Sequence, residues 1–268
     1  MPPLLAWSIQ LGGWQAGFVL LALMPLMITL PMALLWLHVP IASPVKNRDQ
    51  EAERVKILAG MRFAEARKSR VFVLCNISLI LSVSLIVAMV TVMVPYLQDK
   101  GVPALTASQI FSAFGASIIV GRLLVGYLLD HYPPILVSAA ALFTPAIGCA
   151  VLLSTGSEAT ALLVFAIICI GFSAGAEFDI AAFLMARYFG MRDYARIFGL
   201  HLGLVTIVAG LSPALFGYVY SLHGNYDPVV FYALVAAVGA ALTLLSLRSA
   251  PAYTILGSIG LKCPDQCL

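Results

Sequence analysis

Of 268 residues, 62% are hydrophobic and 10% are charged, and the mean hydropathy is +1.01; an average soluble domain carries roughly a quarter charged residues. The 15 Lys and Arg, for a net charge of +3, are too few and too scattered to build a nucleic-acid-binding face. These values exclude a soluble globule, a disordered chain, a coiled coil and a nucleic-acid partner, and they leave a multi-pass protein of the lipid bilayer.

A spanning helix needs about 20 apolar residues. Seven such runs follow one another: Trp14–Leu37, Val71–Leu97, Ala107–Leu129, Ile135–Leu153, Ala161–Met185, Ile197–Leu222 and Val229–Leu247. They lack the alternation and the length of about 10 residues of membrane strands, and most of the turns between them are short, so successive helices are antiparallel neighbours. The opening MPPLLAW has no basic region and is no signal peptide.

Basic residues fix the direction. Lys46, Arg48, Arg54, Lys56, Arg62, Arg67, Lys68 and Arg70 follow span one, Arg187, Arg192 and Arg196 follow span five, and Arg248 and Lys262 follow span seven. All fall on one side of the membrane, against Lys100 alone on the other, so that side and the C-terminus are cytoplasmic. The setting is a cell membrane of the bacterial inner-membrane type. The segment Asp49–Ser69 interleaves charges with Val55, Ile57, Leu58, Met61 and Phe63, which suits either an amphipathic surface helix or a solvated linker.

Cys75, Cys149 and Cys169 lie singly in apolar runs as small hydrophobes, and Cys263 and Cys267 form one CPDQC pair in the tail. One pair without added His is a poor zinc site. No cofactor and no metal is expected.

The two ends of the chain resemble each other. PPLLAWSIQLGGWQAGFVLLAL matches SPALFGYVYSLHGNYDPVVFYAL with one gap, placing Gly13 opposite Gly224 or Asn225 and Trp14 opposite Tyr226. Each reads as a helix end, a glycine turn, an aromatic and a new helix. The aromatics are about six helix-plus-loop units apart, the period of a transporter with two parallel six-helix halves. On this pattern residues 2–10 end an earlier helix, and about five helices precede the chain. Within spans two to seven, IIVGRLLVGYLLDHYPP and TIVAGLSPALFGYVYSLHGNYDP suggest an inverted three-plus-three repeat.

These stretches resemble the C-terminal half of a major facilitator superfamily transporter, in the branch of monocarboxylate porters and oxalate/formate-type antiporters. GRLLVGYLLDHY resembles the signature between helices 8 and 9, GAEFDIAAFLMARYFGMRDYARIFG the passage from helix 10 to helix 11, and GGWQAGFVLLAL the start of helix 6. The signature lacks its second basic residue, having Tyr132, Pro133 and Pro134 after His131. The resemblance implies an all-α integral membrane fold, the six-helix half of that superfamily with one preceding helix. It implies residues 1–38 as the end of helix 5 and helix 6, 39–70 as a cytoplasmic central loop, 71–250 as the six-helix bundle and 251–268 as a cytoplasmic tail. The function implied is secondary-active transport of a small organic anion such as a monocarboxylate, by alternating access, coupled to protons or to exchange. Its partners would be that anion, a proton, the lipid bilayer and a complementary N-terminal half.

Only Arg122, Glu177 and Asp179 are formally charged within the spans, and intramembrane charges are costly and functional by default. Arg122 and Asp179 each stand eight residues before the cytoplasmic end of their helix, about 12 Å deep, so they can pair across the bundle. Glu177 and Asp179 point about 200° apart, so both cannot face Arg122. Arg122 either binds a substrate carboxylate through two parallel hydrogen bonds, a role the resemblance supports, or belongs to a gate network. Glu177 or Asp179 either carries a coupling proton or pairs with Arg122 or Arg187. The resemblance gives Asp130 a role in locking the two halves together, against that of a plain loop aspartate. Gly199, Gly203, Gly210 and Gly217 share one face of span six as a stripe for close helix packing. His201 points away from it, either into a cavity as a substrate ligand or into a bond with a neighbouring helix. Oxalate-type relatives carry a basic residue on this helix. Span six has neither Lys nor Arg, which favours a monocarboxylate over a dicarboxylate. Gly171 and Gly175 form a second small-residue pair, and Pro95, Pro145 and Pro213 interrupt their helices, as membrane helices tolerate beside cavities.

A non-transporting seven-helix protein is the competing class. A retinal protein needs a lysine within a span, and none is present. A membrane enzyme needs clustered ligands or catalytic acids, and His38, His131, His201 and His223 are dispersed. A carrier, not an enzyme, is expected. The topology is checked by Lys56→Cys: an impermeant thiol reagent applied outside intact cells leaves this position unlabelled, whereas efficient labelling reverses the orientation.

Overall fold

The computed structural model describes residues 2–36, 60–156 and 159–248, which are helical apart from turns and one isolated antiparallel bridge between Gly60 and Gly190. The helices are α1 (Pro2–Trp36), α2 (Phe63–Ala66), α3 (Arg70–Asp99), α4 (Ala104–His131), α5 (Pro134–Ser154), α6 (Thr160–Phe189), α7 (Tyr194–His223) and α8 (Asp227–Leu245). Among the described residues, seven of them are long and apolar enough to cross a membrane. Residues 1–55 and 56–268 form two separate units. His38, the tail cysteines and most of the segment expected to be amphipathic lie outside the described residues.

In the first unit, helical assignment runs through Gly13, whose φ is 68°. The expected helix end is therefore a change of backbone conformation within α1, and the spanning part, Gln15–Leu35, begins beyond it. Gly224 ends α7 with φ 71°. The two glycines aligned by the terminal similarity thus share the left-handed conformation that a side chain disfavours.

The second unit is a bundle of α3 to α8. Ser69 caps α3 by accepting from the Phe72 amide at 3.1 Å, and proline opens α5 and α8. Pro95, Pro145 and Pro213 lie inside α3, α5 and α7. The pairings are α4 with α6, α3 with α7, α5 with α6, α3 with α8, α5 with α8 and α3 with α6, with slighter contacts between sequence neighbours. Exchanging α3, α4, α5 for α6, α7, α8 returns the same set. This is the contact pattern of two inverted three-helix units. The prolines and small residues make it possible, because helix association in lipid depends on close packing rather than on an apolar face.

The tightest crossing is α4 on α6. A Cβ at Gly171 would strike Ser117 and Phe114, one at Gly175 the Ile118 carbonyl, and one at Gly121 the Phe172 carbonyl. Gly171 and Gly175 therefore act as the expected small-residue pair. The stripe of α7 does not: nothing lies within 4 Å of a Cβ at Gly199, Gly203, Gly210 or Gly217. The opposite face of α7, with Ile197, His201, Val205, Ser212 and Phe216, is the buried one. The stripe faces outward among the described residues because larger side chains supply the contact with α3.

Polar bonds fix the ends. On one side Tyr96 Oη donates to the Leu152 carbonyl at 3.0 Å, while Lys100 Nζ donates to the Leu152 and Thr155 carbonyls at the end of α5. Burial lowers the Lys100 pKa, and nearby Asp227 opposes that shift. On the other side the Met61 amide donates to the Phe189 carbonyl and the Phe63 amide to Asp193 Oδ2, both at 2.8 Å. Gly121→Ala is expected to destabilise the bundle by about 1–3 kcal/mol, because the new methyl meets backbone that cannot yield, whereas Gly115→Ala, with open space around it, leaves stability unchanged or slightly raised. Thermal unfolding of the purified variants measures both.

Candidate functional site

The crossing of α4 and α6 places the intramembrane charges. Arg122 follows Gly121, and Asp179 lies one turn beyond Gly175. With the backbones this close, Arg122 Nε reaches Asp179 Oδ2 at 3.1 Å. The side chains are 56% and 37% exposed. One guanidinium nitrogen and one carboxylate oxygen make the contact, so the Nη edge of the arginine keeps its donors for another acceptor. The surface around the pair continues through Ile119, Leu123 and Tyr127, all exposed. This is the pairing the depths of the two residues indicate, and it leaves Arg187 exposed in the last turn of α6, with no ion-pair partner among the described residues.

Glu177 is turned the other way. It is 5% exposed and accepts a hydrogen bond from Ser82 Oγ of α3 at 3.2 Å. One helix therefore carries two carboxyl groups of opposite character: Asp179 paired with a cation on an open face, and Glu177 enclosed and bonded to a hydroxyl.

His201 is 2% exposed, and its Nδ1 lies 2.8 Å from Asn76 Oδ1 of α3. Asn76 Nδ2 donates to the Phe72 carbonyl at 2.8 Å. The amide oxygen is thereby the acceptor, so His201 Nδ1 carries the proton and donates. The structure brings His201 against α3, not to the open face that holds Arg122. Asp130 is exposed at the end of α4. Its neighbour His131 places Nδ1 2.8 Å from the Tyr127 carbonyl and stacks on the Tyr127 ring with centroids 4.2 Å apart.

Sequence reasoning missed Asn76, Ser82 and Asp193. The available signal was the recurrence of Asn76, Ser78, Ser82 and Ser84 in the otherwise apolar α3, since polar side chains in a span tie helices together. Among the described residues no three His, Cys, Asp or Glu groups stand close enough to hold a metal ion.

Paired inverted helix triplets, with ionisable side chains at membrane depth, define a helical membrane carrier. Residues 1–202 match the Major Facilitator Superfamily, and the chain belongs to that family of membrane transporters. It is 30% identical over 159 residues to monocarboxylate transporter 13 of Rattus norvegicus, a match covering 57% of this chain and 36% of that protein. Its fold is similar to that of the E. coli fucose:proton symporter FucP, with a TM-score of 0.65 at 16% identity over 90% of this chain and 58% of the symporter. The chain thus spans little more than half the symporter's length.

The environments of His201 and Arg122 each predict a loss of stability on removal of the partner or of the charge. Asn76→Ala strands a buried imidazole donor and costs about 1–3 kcal/mol. Arg122→Ala leaves Asp179 unpaired at membrane depth and costs about 2.5 kcal/mol or more. Denaturation of both variants in the same detergent measures the two losses.

Proposed function

We propose that this chain is part of a secondary-active transporter for a small organic anion, a monocarboxylate, working by alternating access with a complementary helical half. The observation that carries the reading is the geometry of Arg122. It is the one Lys or Arg within the seven apolar runs, it stands on an open face, and it is held by Asp179 through Nε. The Nη donors fit a second carboxylate, and a planar guanidinium binds it by paired charge-assisted hydrogen bonds. One cation suits one negative charge. The similarity to a protein named as a monocarboxylate transporter supports the same class of substrate.

In this mechanism Asp179 orients Arg122 while the site is empty. An arriving carboxylate takes the free edge, and the complementary half excludes water from the face, which strengthens the pairing. Release follows when the halves rock and readmit water. Asp130 and Arg187, exposed at the cytoplasmic ends of α4 and α6, are the groups available to tie and untie that end. His201, fixed by Asn76, supports the packing of α7 on α3. Coupling to a proton or to an exchanged anion supplies the driving force. The pairing with Asp179 also favours a second reading, in which Arg122 serves only in a gate.

Uptake of labelled lactate-like or formate-like acids into proteoliposomes separates these readings. In the transporter assembled with its complementary half, Arg122→Ala removes an interaction worth about 1.5–3 kcal/mol, which is roughly one to two decades of affinity. Arg122→Lys rescues poorly because an ammonium lacks the planar fork. The chain by itself gives no uptake, since alternating access needs two halves. Unchanged affinity in Arg122→Ala assigns the residue to the gate, and robust uptake by the chain alone removes the need for a second half.

A further inference from the structure

Two apolar grooves flank the first turns of α5. Between α5 and α8 the buried Ala139 and Ala241 make the floor, and the exposed Leu136, Phe143, Leu242 and Leu245 make the walls. Toward α4 and α6 a second groove runs over the buried Val125 and Ala141, with Leu128, Tyr132 and Phe172 around it. Leu136 and Ala140 line both, so a narrow ridge of α5 divides them. From Leu136 to Phe143 the α5–α8 groove follows the helix for about 10 Å, which fits within one leaflet of a hydrocarbon core about 30 Å thick. Every side chain lining it is apolar, unlike the face that carries Arg122.

The rim of the grooves is positive. Leu136 lies in the first turn of α5, which opens at Pro134 and has no side-chain cap at Pro133. The N-terminus of a helix is the positive end of its dipole. Leu245 closes α8, and beyond it the Arg248 amide donates to the Leu245 carbonyl at 3.1 Å. A turn closed over three residues sets Arg248 on the same side as Leu245. Arg248 is exposed and has no ion pair among the described residues. Tyr132, also exposed, adds a hydroxyl beside the second groove.

Two apolar troughs that share Leu136 under a positive rim match one molecule with two hydrocarbon chains and an anionic head. We propose that this end of α5 binds a membrane phospholipid with an anionic head group, one acyl chain in each groove and the phosphate between Arg248 and the first turn of α5. Basic residues next to a span attract anionic lipid, and the grooves add shape to that attraction. The competing occupant is the tail of the chain, which continues from Arg248 and contains the apolar run TILGSIGL. An extended peptide in a groove open to lipid would carry unpaired backbone N–H and C=O groups into hydrocarbon, whereas an acyl chain carries none. The lipid site is independent of the anion reading, since it uses neither Arg122 nor Asp179.

The test is native mass spectrometry of the full chain released from nanodiscs that hold phosphatidylglycerol and phosphatidylcholine in equal amounts. The proposal predicts one phosphatidylglycerol retained in preference to phosphatidylcholine. Arg248→Gln lowers that preference about fivefold, the effect of one basic residue beside an anionic lipid. Arg192→Gln, in the turn between α6 and α7, leaves it unchanged. Ala140→Trp fills both grooves from an exposed position and lowers retention of both lipids. Equal retention of the two lipids overturns the proposal, and so does a loss in Arg192→Gln equal to that in Arg248→Gln, because both are the behaviour of diffuse attraction to a basic surface. Retention unaffected by Ala140→Trp overturns the placement of the chains. A chain ending at Arg248 that retains more phosphatidylglycerol than the full chain assigns the grooves to the tail and overturns the proposal as well. The pair Arg248→Gln and Arg192→Gln decides the matter if Ala140→Trp does not fold.

Discussion

Close approach of α4 and α6 determines where the bundle can carry charge. Gly121, Gly171 and Gly175 let the two backbones touch with no Cβ between them, and the side chains immediately beyond that contact are Arg122 and Asp179. A wider crossing would separate them, and an unpaired ion at membrane depth costs at least about 2.5 kcal/mol. The same contact rotates α6 so that Glu177 points to α3. Packing of the smallest residues thus fixes the placement of the most expensive ones.

The inverted pairing explains the shape of the exposed surface. α4 and α7 exchange places under the repeat, and each packs mainly by one face, α4 on α6 and α7 on α3. Each leaves its other face open. On α4 that face holds Arg122, and on α7 it holds the glycine stripe. The outward stripe and the accessible arginine are therefore two expressions of one symmetric arrangement.

Much of this was legible in the sequence because membrane spans are read from length, and depth from rise per residue. The seven spans, the matching depths of Arg122 and Asp179, the opposite orientation of Glu177 and the small-residue pair Gly171 and Gly175 follow from such counting; the choice of Arg122 rather than Arg187 as the partner of Asp179 came from the structure. The direction of the α7 stripe did not. In a helix apolar on all sides, periodicity carries no inside–outside signal, and a row of glycines announces a close contact without saying which surface makes it. The partner of His201 was hidden for a related reason: an asparagine 125 residues away is joined to it only by tertiary packing.

The central claim is that Asp179 orients Arg122 and that Arg122, not Asp179, binds the substrate. Equilibrium binding of labelled lactate to the assembled transporter carrying Asp179→Asn tests it most directly. Neutralising Asp179 releases the guanidinium without removing it, so the account predicts affinity equal to or tighter than that of the unaltered protein. Loss of binding in Asp179→Asn, as severe as in Arg122→Ala, would contradict it and make the ion pair itself the functional unit.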